Sequence, residues 1–188
     1  VYVTFQQWET CAGFVRHTLR LTEGKMKTIK NIFPKIYDFE NLLEAYKAAI
    51  KTKRYRPDVM EYADKLEENL FELQNNLILG LYEVGRYNMF YVYEPKKRLI
   101  MSLQFRDRVA QHAIYRQLNP LIEKRYIKDS YACRVGYGTH AAIDRLQDWM
   151  RQTERKPGKY YYLKLDVSKY FYRIDHEILK DILARQIK

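Results

Sequence analysis

Asp166 is the residue whose position most favours chemistry. It ends the aromatic and aliphatic run 160–165, which reads as a β-strand with Tyr161, Leu163 and Leu165 on one face. Sites of phosphoryl transfer bind Mg²⁺ through rigidly held oxygen ligands, and a carboxylate at a strand end can supply one. Aspartates in such positions also form turns. The position alone therefore leaves a metal ligand and a turn residue open as alternatives.

Three sequence blocks, each made of two parts, follow one another along the chain, and the third contains Asp166. They are Arg-Leu-Ile at 98–100 with Phe-Arg-Asp-Arg-Val-Ala-Gln-His-Ala at 105–113, Ser-Tyr-Ala-Cys-Arg at 130–134 with Gly-Thr-His-Ala-Ala at 138–142, and Lys-Leu-Asp-Val-Ser-Lys-Tyr-Phe at 164–171 with Ile-Asp-His at 174–176. In this order they resemble two upstream motifs and the first catalytic motif of reverse transcriptases. The runs 93–96, 111–113 and 131–134 are most similar to the enzymes of diversity-generating retroelements. Group II intron and retron enzymes remain alternatives.

The resemblance implies an α+β fold of the right-hand polymerase type. Residues 26–158 would form mostly helical fingers with one β-hairpin, and 159–188 would open the palm with its first strand and helix. Residues 1–25 form a separate upstream segment. Because Met26 would be a natural first residue, we hypothesise that 1–25 are translated upstream sequence or the tail of a truncated open reading frame.

The resemblance also implies an activity, a cofactor and partners. The complete enzyme would be an RNA-directed DNA polymerase, a nucleotidyltransferase that uses Mg²⁺ and dNTPs and copies a template RNA into a DNA product. A retroelement enzyme of this type would serve mutagenic retrohoming, would copy template adenines with errors and would work with a small basic accessory protein.

Site residues follow from the same resemblance. Asp166 would be the catalytic carboxylate and the first ligand of Mg²⁺, and the carbonyl of Val167 would be a further ligand. Phe171 matches the steric gate, where a bulky ring would clash with a ribose 2′-OH and so select deoxynucleotides. Tyr172 and Arg173 depart from the acidic or small residue that often follows the gate.

Cationic side chains would bind the nucleotide and the nucleic acid. Such groups neutralise the charge that develops on phosphates during transfer. The nucleotide-binding set is Lys96, Lys97, Arg98 and Arg134, and the nucleic-acid-binding set is Arg106, Arg108 and Lys169. A solvated turn is the alternative for Lys96 and Lys97, and a structural ion pair is the alternative for Arg134.

The second catalytic motif of the family contains two consecutive aspartates, and the chain has no Asp-Asp pair. With Asp166 alone, a two-metal site cannot be completed. We therefore expect the chain to be the N-terminal part of a longer enzyme or a truncated product, and to be inactive by itself. A catalytically inactive nucleic-acid-binding fragment and a basic helical scaffold are the competing functions.

Composition agrees with a polyanionic partner. The 34 Lys and Arg against 23 Asp and Glu give a net charge of +11, and 18 Tyr supply faces that stack on unpaired bases. A merely basic soluble protein is the alternative. No stretch approaches the ~20 apolar residues of a membrane span, so no membrane partner is predicted. With Cys11 and Cys133 alone and no secretory signal, a reducing cytoplasm is the expected location.

Helical periodicity and turn residues predict the elements of the first half of the chain. A helix is expected over 38–54 with Asp38 as its N-cap, and a second one from Pro57 to Gly80. The segments 88–93 and 98–103 read as a β-hairpin whose basic tip is 94–97.

The second half continues with a helix over about 105–118, interrupted by Pro120, and an irregular loop over 127–138 in which Cys133 would be a packed thiol. A fourth helix is expected with Thr139 as its N-cap, and Asp175 would cap a last helix. The predicted inner stripe of the fourth helix is Ile143, Leu146, Trp149 and Met150.

Overall fold

A computed structural model describes residues 29–187, so the hypothesis about 1–25 lies outside the described residues. The chain divides into two compact units. The larger spans residues 33–167, and the smaller contains 29–32 and 168–187. The described chain is mixed α+β, mostly helical with one two-stranded antiparallel hairpin, which confirms the predicted fold class at this level.

The larger unit begins with two helices that are joined at Asp38. Helix α1 covers Phe33–Tyr37 and α2 covers Phe39–Ala49. An Oδ atom of Asp38 accepts a hydrogen bond from the backbone N–H of Asn41 at 3.3 Å, which confirms the predicted N-cap. The helix ends at Ala49 rather than at residue 54, and residues 50–55 form turns in which Thr52 has a φ of 65°.

The segment predicted as one helix from Pro57 to Gly80 is two helices. Helix α3 covers Pro57–Asp64 and α4 covers Leu66–Ile78. The break is at Lys65, whose φ of −125° and ψ of 45° lie outside the helical region. Gly80, with a φ of 69°, follows the end of α4 in the left-handed conformation that glycine adopts without strain.

The next elements are the hairpin and a long helix. Strand β1 covers Asn88–Val92, β2 covers Arg98–Ser102, and α5 covers Phe105–Ile122. The register pairs Asn88 with Ser102 and Val92 with Arg98, which confirms the predicted hairpin. Both faces of the hairpin are largely exposed, and an isolated two-stranded ribbon is marginally stable in water.

Helix α5 continues through Pro120, so the prediction that this residue interrupts it was wrong. Proline removes one N–H from the helical ladder, and here only two residues of the helix follow it. The N–H of Glu123 still donates to the carbonyl of Asn119, which keeps the last turn closed. A 3₁₀ turn, Glu123–Arg125, then leads into the irregular loop.

The core of the larger unit lies between α2, α4 and α5. Apolar side chains from each of the helices predicted over 38–54, 57–80 and about 105–118 are buried there. The fully buried side chains include Leu42, Leu70, Leu73 and Val109. Burying a side chain of this size contributes about 1.5–3 kcal/mol.

Asn41 is a buried polar residue at the centre of this packing. Its Nδ2 donates to the carbonyl oxygens of Ile36, at 2.9 Å, and Ala113, at 3.2 Å. Its Oδ1 accepts from Gln117 at 2.8 Å and from Arg116 at 3.3 Å. One side chain thereby ties α1, α2 and α5 together with all its hydrogen-bonding capacity used.

Helix α6 covers Thr139–Glu154 and buries none of its residues. Its N-cap is Gly138 and no side chain caps it, so the predicted cap at Thr139 was wrong. The stripe of Ile143, Leu146, Trp149 and Met150 is exposed, so its predicted inner position was wrong. The strand predicted over 160–166 was also wrong, because these residues form no strand. A strand requires a hydrogen-bonded neighbour, and within residues 29–187 this segment pairs with none.

The smaller unit contains a 3₁₀ helix, Tyr170–Arg173, and helix α7, His176–Ala184. The carboxylate of Asp175 accepts hydrogen bonds from the N–H groups of Glu177, at 2.9 Å, and Ile178, at 3.1 Å. This confirms the predicted cap. In this unit Ile29 and Ile187 form an isolated parallel bridge. No helix over residues 29–187 has the length and apolar character that crossing a bilayer requires.

Candidate functional site

The tip of the hairpin brings three of the predicted site residues together. Lys96, Lys97 and Arg98 follow one another where the chain leaves the turn and enters β2, and all three are exposed. The ammonium of Lys97 lies 4.5 Å from the ring centroid of Tyr91 and 5.8 Å from that of Tyr93. These distances are in the cation–π range, so the aromatic face of β1 holds the lysine.

Arg106 and Arg108 lie where the hairpin joins α5. The guanidinium of Arg108 donates to the carbonyl of Leu103 at 3.2 Å and to the hydroxyl of Ser102 at 2.8 Å. That of Arg106 donates to the carbonyl of Glu83 at 2.7 Å. Both side chains therefore fix the base of the hairpin to the body of the unit.

Sequence reasoning missed Asp107, which organises the same junction and is only 1% exposed. Its carboxylate accepts hydrogen bonds from the hydroxyl of Tyr82, at 2.9 Å, and the N–H of Gly85, at 3.0 Å. The guanidinium of Arg106 is 3.6 Å away. Burial, and secondarily the hydrogen bond to Asp107, raise the pKa of Tyr82. The sequence feature that could have indicated this site is a carboxylate between buried positions of a predicted helix, because a buried carboxylate needs hydrogen-bond donors.

Gly85 makes this close approach possible. A Cβ atom placed at this residue would lie 2.6 Å from Oε1 of Gln104 and 3.1 Å from Oδ2 of Asp107. The exposed side chain of Gln104 can move away from such a Cβ atom, so the tighter limit is the approach to the buried carboxylate of Asp107, which would have to shift by a few tenths of an ångström. The base of the hairpin is thus held by a buried carboxylate and two arginines, with Gly85 packed closely against the carboxylate.

Arg134 lies in the irregular loop after α5 and has protein partners on several sides. Its guanidinium donates to the carbonyl of Ser130 at 2.8 Å and to that of Ile127 at 3.3 Å. It lies 3.8 Å from the ring centroid of Tyr137 and 3.7 Å from a carboxylate oxygen of Glu123. This geometry agrees with the alternative of a structural ion pair for Arg134, in which the side chain holds the loop in place.

Cys133, beside it, was predicted to be a packed thiol, and this was wrong because the residue is exposed. Its φ of 57° places it in the left-handed region, which is uncommon for a residue with a side chain. The hydrogen bonds of Arg134 hold the loop in this turn.

Asp166 and Val167 lie at the end of the larger unit, in an exposed segment without regular secondary structure. Phe171 and Lys169 belong to the smaller unit. The ring of Phe171 is 82% exposed and contacts Tyr170 edge to face at 5.2 Å. Lys169 has a φ of 52° and precedes the 3₁₀ helix.

The carboxylate of Asp166 and the carbonyl of Val167 are oxygen donors that suit Mg²⁺ in chemistry. Two donors are too few, because Mg²⁺ takes about six ligands. In residues 29–187 no group of three His, Cys, Asp or Glu side chains could hold a metal ion. The described residues therefore supply part of a site at most.

Comparison with known proteins adds no family to this picture. No protein-family model matches the chain, and no curated protein matches it significantly.

Proposed function

We propose that this chain is the fingers and first palm motif of an RNA-directed DNA polymerase. The observation that carries the proposal is the sequence 164–171, in which Asp166 ends an apolar run and Phe171 follows five residues later. The two upstream blocks precede it in the order of the reverse transcriptase family. A hairpin with a cationic tip supports the proposal, because the resemblance implies such a hairpin in the fingers.

In this function the tip of the hairpin binds the triphosphate of the incoming nucleotide. Lys96 and Arg98 are exposed and form no ion pair within the described chain, and Lys97 is oriented by Tyr91. Cations held in place before the reaction stabilise charge that develops on phosphates without a cost of reorganisation. Arg106 and Arg108 act indirectly, because their hydrogen bonds at the base of the hairpin set its direction. The contacts of Arg134 favour positioning of the loop over direct contact with a nucleotide.

Asp166 and the carbonyl of Val167 would hold Mg²⁺ together with ligands from elsewhere in the enzyme. The metal supplies Lewis acidity and orients the phosphates. Phe171 would exclude a 2′-OH by its bulk, and its exposed ring is available to contact a sugar. The proposed partners are template RNA, DNA product and dNTPs. More specifically, we propose that the enzyme serves a retroelement and works with a small basic accessory protein. We propose a cytoplasmic location.

A non-catalytic nucleic-acid-binding function is the second candidate. The exposed aromatic residues and cations of the hairpin favour it, because stacking and charge suffice for binding without chemistry. This function needs neither Asp166 nor Mg²⁺.

Primer extension by the longest reading frame that contains this chain separates the two functions. Asp166→Asn should abolish extension on an RNA template and leave the Kd for RNA within about twofold, because one amide replaces one ligand oxygen far from the hairpin in sequence. Asp148→Asn is the matched control, since Asp148 is exposed and, among residues 29–187, pairs only with Arg151, at 3.6 Å. Extension that survives Asp166→Asn refutes the assignment of Asp166. A wild-type protein that binds RNA and extends no primer supports the second candidate.

A further inference from the structure

The C-terminal half of α6 and the segment after it form an aromatic cleft within the larger unit. The cleft has a volume of about 710 Å³, which lies in the usual range of ligand sites. Its wall includes Trp149 and Met150 of α6 and the three consecutive tyrosines 160–162. Tyr161 and Tyr162 are 90% and 94% exposed, and Trp149 is 43% exposed. Accessible aromatic surface is therefore concentrated in one place.

Two of these rings are held in place in the free protein. The guanidinium of Arg145 lies over the ring of Trp149, 5.0 Å from its centroid, and donates to the carboxylate of Asp129 at 3.0 Å. The hydroxyl of Tyr160 donates to the carbonyl of Lys156 at 3.3 Å, which ties its ring to the turn after α6. Rings that are already fixed lose little conformational freedom when a ligand binds, so the cleft is prepared for a flat group.

The turn after α6 gives the cleft a basic edge. Residues 151–159 contain four basic residues and one acidic residue, which are Arg151, Arg155, Lys156, Lys159 and Glu154. Arg151 pairs with Asp148 at 3.6 Å, whereas the other three cations form no ion pair within residues 29–187. Lys156 and Glu154 line the cleft itself. The cations without counter-ions favour an anionic partner beside the aromatic wall.

The combination of rings and cations decides between possible partners. In a single-stranded nucleic acid, the bases stack on aromatic side chains while the phosphates pair with Lys and Arg. A purely apolar partner would cover the rings and leave the cations of the turn without counter-ions. In the interior of a duplex, the faces of the bases are covered by their neighbours and cannot reach the rings. An unpaired strand satisfies both parts of the surface.

We propose that this cleft binds an unpaired base of a single-stranded nucleic acid. The base stacks on Trp149 and the tyrosines 160–162, and the adjoining phosphates pair with Arg155, Lys156 and Lys159. Because stacking does not read the ribose 2′-OH, RNA and DNA strands should bind alike. The inference rests on the proposed function in one respect, since it requires that the chain meets single-stranded nucleic acid. It adds a contact that is distant in sequence from the hairpin tip.

The fluorescence of Trp149 reports base stacking directly. The chain has two tryptophans, so in the 188-residue chain with Trp8→Phe the fluorescence comes from Trp149 alone. A single-stranded oligoribonucleotide of about 12 nucleotides should quench it saturably, and a duplex of the same sequence should require about tenfold or more higher concentration. Equal quenching by the duplex, or by AMP at the same concentration of bases, would overturn the proposal.

Fluorescence anisotropy of the same strand, carrying a dye, separates the cleft from the hairpin tip. Trp149→Leu removes the ring from a helix that buries none of its residues, and it should weaken binding about fivefold or more. Tyr55→Leu is the matched control, because Tyr55 is 77% exposed and lies outside both the cleft and the hairpin. Equal weakening by both variants would overturn the role of the cleft.

The outcome for the hairpin tip tells the inference apart from the proposed function. Unchanged affinity for Trp149→Leu, together with weaker binding by Lys97→Ala, would overturn the inference and leave the proposed function standing. A wild-type chain that binds no strand at all would overturn the inference and count against both candidate functions.

Discussion

The side-chain amide of Asn41 donates a hydrogen bond to the carbonyl of Ala113, 72 residues further along the chain, at 3.2 Å. This bond joins α2 to α5 across the core of the larger unit. The carbonyl of Ala113 is thereby satisfied by a side chain in addition to the helical ladder. The position of α5, and with it the base of the hairpin, depends on this contact.

Asn41→Ala should lower the free energy of unfolding by about 2–3 kcal/mol, because buried carbonyls lose their donor and Gln117 loses its acceptor. Urea unfolding followed by circular dichroism measures the change. Gln117→Ala removes one hydrogen bond of the same group and should cost about 1 kcal/mol. Equal costs for the two variants would contradict the central role of Asn41.

Asp107→Ala should be more destabilising, by about 3 kcal/mol or more, since it leaves a phenol and a backbone N–H without an acceptor in a buried place. Tyr82→Phe removes only one of these hydrogen bonds and should cost about 1 kcal/mol. A double-mutant cycle on the pair measures their coupling. Additive effects would show that the hydrogen bond between them carries no stability.

Lys97→Ala should weaken binding to single-stranded RNA and lower the slope of log K against log salt by about 1, because one phosphate contact is lost. Fluorescence anisotropy over a range of salt concentrations gives the slope. Lys47→Ala is the matched control, because the ammonium of Lys47 lies 2.7 Å from a carboxylate oxygen of Glu44 on the surface of α2. An unchanged slope for Lys97→Ala would remove the hairpin tip from the nucleic-acid interface.

The elements that local sequence specifies could be predicted, and those that need a distant partner could not. Asp38 and Asp175 cap their helices through N–H groups two or three residues away, and the hairpin is set by its own turn and alternation. The break at Lys65 has no proline or glycine to mark it. The strand predicted over 160–166 fails for the opposite reason, because its residues favour a strand but no neighbour pairs with it in the described chain.

The residues of the candidate site also divide into those that local sequence indicates and those that depend on distant contacts. Sequence reasoning identified the cations of the hairpin tip, because a basic turn between two strands is a local feature. It missed Asp107 and the partners of Arg134, since these depend on contacts that only the folded chain creates. The stacked guanidinium of Arg134 has the same sequence signature as an exposed one, whereas the burial of Asp107 is indicated only by the buried positions that flank it in α5.

Protonation of His112 should destabilise the larger unit. Burial, and secondarily the charge of Lys53, lower the pKa of His112 below its ordinary value of 6.5. The unfolded chain therefore binds more protons at this residue than the folded chain does, so stability is complete above about pH 6.5 and falls as pH is lowered through the depressed pKa. Tm measured between pH 7.5 and 5 should decrease more for the wild type than for His112→Gln, which does not titrate. Carboxylates contribute equally to both proteins, so the difference between the two curves isolates His112. Parallel curves would contradict the lowered pKa.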